Sequence, residues 1–380
     1  MPSKRKAASN SKAKPQVNPV ASSPERSPSS PPPSSSVTPI LLALPTETIH
    51  HILSHIPDMN LPVGYEYLGG HYPFYDPSIP ALGYVRQDAL RTLSQTCRSF
   101  RKFFLPSLWE HFNVFTKGEN GPPSQWYKRV SGLLERGSLF LADPKNKNIA
   151  GYVRVIRVVL TRHSTDTVLP AFVACLSALP NLHTLHVLHA HSQMTSQLKK
   201  AFEGHSFPSI KKIILPSCAH EILRCCPEVT FMRNLEEDGS KIVGAINKCC
   251  KKVEILERVE PNAAMIKRIV KAMPNLKRIM FRINYLTLEA IPFLSPLKHL
   301  TSIDLIQDPQ RNPFGMHPIE VLNDLPDVKA ARKVLKGPEE KRRLGIVYLW
   351  QEEPAPEIVL TREVESLPGW VSRIEVKAVE

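Results

Sequence analysis

At 380 residues, 42% of them hydrophobic, the chain has room for two or three folded units and a sizeable core. No stretch reaches the length of a membrane span, and Met1-Pro2-Ser3-Lys4-Arg5-Lys6 lacks the apolar core of a signal peptide, so a cytoplasmic or nuclear protein without membrane association is expected. The formal charge of +14 is spread out: residues 1–40 hold six bases against Glu25, and the remaining +9 is scattered over the rest apart from a run from Lys329 to Arg343. Such charge attracts polyanions weakly, and without a recognised binding motif a nucleic-acid function is not expected.

Residues 1–38 are expected to be a disordered basic tail, because proline and serine fill half of positions 1–40 and leave too little apolar area to offset the entropy of ordering. Ser23, Ser27 and Ser30 each precede a proline, and Lys4-Arg5-Lys6 has the composition of a nuclear address. The run Leu44-Pro45-Thr46-Glu47 opens a helix with proline at its start and an acid in its first turn; Ile49, Ile52, Leu53 and Ile56 fall on one face. Residues 58–86, rich in proline, glycine and tyrosine, read as an inserted loop. Helix resumes at Asp88, with Leu90, Leu93, Cys97 and Phe100 as its apolar stripe, and Leu105-Pro106-Ser107-Leu108-Trp109 ends it.

These segments resemble an F-box of the kind common in fungal proteins: Leu-Pro-x-Glu-x-Ile-x-x-Ile-Leu-Ser, Leu-x-x-Leu-Ser-x-x-Cys-Arg-x-Phe-Arg, then Leu-Pro-x-Leu-Trp. The resemblance spans Leu44 to Trp109 and departs from the family pattern at the 58–86 insertion. It implies a helical F-box domain over 39–115 that docks on a Skp-type adaptor and, through it, a cullin. Leu44, Pro45, Ile49, Ile52, Leu53 and Leu93 would then contribute to the adaptor-facing side.

A linker with a short helix (Trp126 to Leu134) is expected over 116–150. A leucine-rich-repeat domain follows over 151–310, read from the template Leu-x-x-Leu-x-Leu-x-x-Asn/Cys. Leu276, Ile279, Phe281 and Asn284 satisfy it fully; Ile210, Ile213, Leu215 and Cys218 use the cysteine variant. Units begin also at Val153, Leu182 and Leu300, while those at Val229 (Met232, Asn234) and Val253 (Leu256, Arg258) are degenerate. Apolar stripes between units, such as Val168, Leu169, Phe172, Val173 and Leu176, predict helical spacers. The expected fold class is therefore α/β: a helical F-box followed by a curved solenoid with parallel strands on its concave side. Template residues should point inward. Arg157, His186, Lys212, Arg278, Met280, Arg282 and Asp304 should point outward and form the target-binding surface. Replacing Arg278 and Arg282 should leave stability nearly unchanged unless either pairs locally. Leu344–Leu349 and Val371–Val379 read as strands of a C-terminal cap or extension over 311–380.

Catalytic residues are not apparent. No phosphate-cradling glycine motif, nucleophile elbow or dinucleotide fingerprint occurs. The cluster His183, His186, His189 and His191 lies on a strand and turn where four rings need not converge, and Cys218, His220, Cys225 and Cys226 fit a buried turn and helix, so neither a metal nor any other cofactor is expected. The seven cysteines, odd in number and including two adjacent pairs, are expected as reduced thiols. The expected function is substrate recognition for a Skp–cullin–F-box ubiquitin ligase, without catalysis by this chain, toward a protein of acidic or phosphorylated character. The alternative is an interaction scaffold that does not direct ubiquitination.

Overall fold

The computed structural model describes residues 44–56, 78–114, 123–236, 238–284, 286–307, 325–335, 343–349, 366–367 and 371–375. The expected disordered tail and the first part of the insertion lie outside them. Among the described residues three helices come first: Thr46–Ser54, Ser78–Thr96 and Arg98–Trp109. Pro45 precedes the first and Glu47 occupies its first turn, as its N-terminal chemistry demands. Two expectations are corrected here. The helix starts at Ser78, so residues 78–86 are helical rather than looped, and Cys97 breaks the stripe instead of joining it. Cys97 is extended (φ −156°, ψ 171°) and exposed, and its Sγ accepts from Phe100 N at 3.5 Å, capping a separate third helix. Ile49, Leu53, Leu90, Phe100 and Phe104 form this module's own core, with Leu93 packed against it.

Among the described residues nine strands then add in chain order to one parallel sheet: β1 (His111–Val114), β2 (Val155–Leu160), β3 (Thr184–Ala190), β4 (Lys212–Leu215), β5 (Phe231–Asn234), β6 (Ile255–Val259), β7 (Arg278–Arg282), β8 (Ser302–Gln307) and β9 (Arg343–Leu349). β10 (Ser366–Leu367) pairs with β11 (Val371–Glu375), which runs antiparallel to β9 and ends the parallel series. The sheet thus begins before the expected repeat boundary. β1 pairs with β2, and the supposed linker holds a 20-residue helix, Pro123–Ala142, that packs against the helix Thr165–Ala178. Its buried Leu134 and Leu141 were disguised by neighbours Leu133, Leu139 and Phe140, which stay exposed.

The register explains why the stack is continuous. Phe112, Ile156, Leu185, Ile213, Met232, Leu256, Ile279, Ile303 and Leu344 are paired neighbour to neighbour and all belong to one core with the helices. Each such side chain contributes about 1.5–3 kcal/mol of hydrophobic burial. Leu276, Ile279 and Phe281 are fully buried, as their template positions require. The degenerate sixth strand is accommodated by a local irregularity. The template puts Arg258 where an apolar residue belongs, but Arg258 takes φ 63°, the register shifts between Glu257 and Val259, and Val259 becomes the partner of Phe281 in the core. A left-handed conformation at a non-glycine residue is the local penalty for keeping the guanidinium out of the apolar layer.

Template residues at the strand ends close the turns, and Cys218 also ties its repeat to the one before. Cys218 Sγ donates to Ala190 O at 3.1 Å, Asn234 Oδ1 accepts from Glu236 N at 3.2 Å, and Asn284 Oδ1 accepts from Leu286 N at 2.9 Å. These groups satisfy turn backbone that the sheet ladder no longer serves. Among the described residues no helix is long and apolar enough to cross a membrane.

Candidate functional site

Two surfaces contain the residues singled out from the sequence. On the helical module the six expected adaptor-facing residues divide by burial. Leu44, Pro45 and Ile52 are exposed, Ile52 by 46%. Ile49 and Leu53 are buried at 2% and 3%, so they hold the module together and cannot present their side chains to a partner; Leu93 is half-buried. The helix has two apolar edges, and i, i+4 spacing marks the inner one (Ile49, Leu53) while Ile52 lies off it. Arg86 Nη1 donates to Leu53 O and joins the first helix to the second. Trp109 stacks on Phe140 with ring centroids 5.5 Å apart, connecting the module to the helical side of the sheet.

The second surface is the sheet face opposite the helices. Strand alternation places two rows of side chains on it. Asn113, Arg157, His186, Ile214, Arg233, Glu257, Met280 and Asp304 form one row by register. His111, Val155, Thr184, Lys212, Phe231, Ile255, Arg278 and Ser302 form the next. All seven outward residues expected from the sequence therefore share this face, with Arg282 one step further along β7. They are not uniformly solvated, however. His186, Met280 and Asp304 are buried, and Arg157, Lys212, Arg278 and Arg282 are half-buried.

Charges alternate across the later strands. Arg233 Nε donates to Glu257 Oε2 at 2.6 Å, Arg278 approaches Glu257 at 4.0 Å, and Arg278 Nε donates to Asp304 Oδ2 at 2.6 Å. Glu257 and Asp304 are almost completely buried (2% and 0%), and a buried carboxylate persists only when paired and hydrogen-bonded. This corrects the expectation for Arg278: it is a partner of a buried carboxylate rather than a free surface cation. Sequence reasoning missed Arg233, Glu257 and Phe231 because the units beginning at Val229 and Val253, which hold β5 and β6, were read as degenerate. The signal was nevertheless present, since these residues flank Met232 and Leu256 at the same alternate positions.

The earlier strands hold a different environment. Arg157 Nη1 lies 3.3 Å from His111 Nδ1 and 3.4 Å from Asn113 Oδ1. Lys212 Nζ sits 4.5 Å from the Phe231 ring centroid, with the Arg233 guanidinium 5.9 Å from the same ring. Between them His186 is buried, and its Nε2 has no hydrogen-bond partner. Burial, and after it the charges of Arg157, Arg233 and Lys212, keep the His186 pKa well below its ordinary value.

The two clusters weighed for metal do not assemble a ligand set: among the described residues no three histidine, cysteine or acidic side chains gather as a metal site would require. The buried cysteines of the repeat domain serve packing. Cys225, Cys226 and Cys250 donate to the Phe202, Ile222 and Leu223 carbonyls at 3.2, 3.5 and 3.3 Å, and burial pushes Cys225 up to about 11 and Cys250 to about 12. Thiols so shifted are poor nucleophiles at neutral pH.

No protein-family model matches the chain, and no curated protein sequence does. Among solved structures it is similar to the leucine-rich repeat-containing protein LegL7 from Legionella pneumophila, with 13% identity and a TM-score of 0.29, over 63% of this chain and 90% of that one. The repeat organisation described above stands on the strand register itself.

Proposed function

We propose that this chain is the substrate-recognition subunit of a Skp–cullin–F-box ubiquitin ligase, binding the adaptor through the helical module and a target protein through the open face of the repeat sheet. The observation that supports this reading most directly is the exposure of Leu44, Pro45 and Ile52 on a module whose core is already complete. Apolar groups left outside a closed core, at the positions where the F-box resemblance puts adaptor contacts, are what docking on a second protein needs. A further support is architectural. A long row of side chains on one sheet face, carried by stacked units, offers an extended surface for a protein rather than a closed pocket for a small molecule. Ubiquitin transfer would belong to the conjugating enzyme brought by the complex.

Replacing Leu44 and Ile52 with alanine tests the reading, because neither contributes to the module's interior. Recovery of a Skp-type adaptor from cells should fall by about tenfold or more for the pair, two truncated interface anchors being worth at least about 1.4 kcal/mol together. Thermal unfolding should stay within about 2 °C of wild type. Undiminished adaptor recovery would count against the F-box assignment. Adaptor binding without ubiquitin transfer to any captured protein would favour the scaffold reading instead.

A further inference from the structure

We propose that His51 and His55 form an open binding site for a divalent transition-metal ion, zinc being the ion their spacing fits best. The site lies on the first helix, Thr46–Ser54, and does not depend on the ligase reading.

Its geometry starts from the backbone. His51 is in the last turn of the helix, and His55 follows as its C-cap but keeps helical dihedrals (φ −78°, ψ −12°). Two residues four apart on such a backbone share a face, one turn above the other. His55 N donates to Ile52 O at 3.2 Å and Ile56 N to Leu53 O at 3.1 Å, so the turn that carries the second ring is closed by its own backbone. Ile49 and Leu53 mark the buried edge. Successive residues turn by about 100°, which directs His51 and His55 to nearly the opposite side. Both histidines are accordingly exposed.

The two rings converge. Nε2 of His51 and Nε2 of His55 are 3.3 Å apart, while the ring centroids are 4.7 Å apart at an interplanar angle of 77°. Rings closer at their Nε2 atoms than at their centres lean together, and the Nε2 lone pairs aim toward a shared point when each ring proton sits on Nδ1. A tetrahedral zinc ion with bonds of about 2.0–2.1 Å needs two nitrogen ligands about 3.3–3.4 Å apart. Square-planar copper(II) or nickel(II), with bonds of similar length at right angles, would need them at about 2.8 Å. Calcium and magnesium take oxygen ligands instead. Two further features favour a cation. Glu47 is exposed one turn earlier on the same face, and the pair sits at the negative end of the helix dipole. The chain supplies two ligands rather than the four of a closed structural site, so water completes the tetrahedron. Ile52 is turned by about 100° from His51, and an ion on the histidines does not cover it.

The test uses the intact chain, freed of metal by a chelator, with isotope-labelled histidine and zinc chloride as the probe. The His51 and His55 ring signals are identified by their loss in His51→Asn and His55→Asn. Zinc should shift both Nε2 signals together, with one midpoint, while His50, exposed on the same helix, does not follow them. Magnesium chloride should move neither. Because the second ligand binds intramolecularly, either substitution alone should weaken zinc binding at this site by about a hundredfold, and the double variant should be little worse than either single one. His50→Asn should bind as wild type does. Thermal unfolding without metal should agree among these variants, the replaced rings being exposed, so that a lost response is a lost ligand and not a lost fold. His51 and His55 signals that shift with separate midpoints overturn the proposal. So does a His51→Asn protein in which His55 responds at the wild-type zinc concentration. Movement of His50 with the same midpoint overturns it as well, since zinc would then be binding exposed histidines without selection.

Discussion

Burial holds the His189 pKa down to about 4, with the charge of His191 adding to the effect, and the neighbouring His186 is shifted in the same direction. Unfolding returns both rings to water, where a histidine takes up its proton near pH 6.5. Between about pH 6.5 and 4 the unfolded chain therefore binds more protons than the native one, and stability must fall as the pH is lowered through that window. The His189→Gln variant should show a shallower loss of stability across it, measured by urea unfolding at several pH values, and adding His186→Gln should flatten the curve further. An unchanged slope would mean that other groups govern acid unfolding. These shifts were not legible in the sequence. The run His183, His186, His189, His191 suggested a shared role, but β3 separates the four by alternation and by the irregularity near Leu188. His183 is exposed, His186 lies on the open face, and His191 Nδ1 accepts from Gln193 N in the following turn.

At the scale of elements, strand pairing decides which outward residues are surface and which are structure. Asp304 alternates outward from β8 as its position requires, yet it is fully buried because β7 delivers Arg278 to it. The spacing of inward residues is local and could be read from one strand. The fate of an outward residue depends on its neighbour about 24 positions away, which one repeat alone does not reveal. Removing one partner of such a pair should cost more than removing both. Arg278→Ala should destabilise by about 2–3 kcal/mol, below the usual range for a fully buried pair because the guanidinium is partly exposed. Arg278→Ala combined with Asp304→Asn should recover much of that loss, since no buried charge is then left alone. Equilibrium unfolding of the single and double variants closes the cycle, and a coupling near zero would show the pair to be incidental. The helices were easier to read at their centres than at their ends. Cys97 looked like a stripe residue because it falls at helical spacing from Leu93, while its extended backbone and its bond to Phe100 N are properties of a cap.

Across the whole molecule, each repeat closes its core only against its neighbours, so the two ends of the stack bear special weight. At the start, β1 follows directly from the helix Arg98–Trp109, and this continuity kept it from view: a four-residue strand just after the Leu-Trp ending has no full template of its own. At the far end, the helix Pro326–Val334 buries Val328, Ala331 and Val334, β9 covers β8, and β11 turns the sheet antiparallel. A chain ending at residue 324 would lose these covers and expose the flank of β8, whose Ile303 and Leu305 are fully buried. Re-exposing even half of each side chain would cost about 1.5–3 kcal/mol. In a stack governed by neighbour contacts that loss should stay local. Hydrogen exchange should show protection falling first in β8 and β7, while β2 to β4 keep theirs and the three N-terminal helices are unaffected. A uniform fall in protection from β1 to β8 would instead mean that the nine parallel strands unfold as one unit.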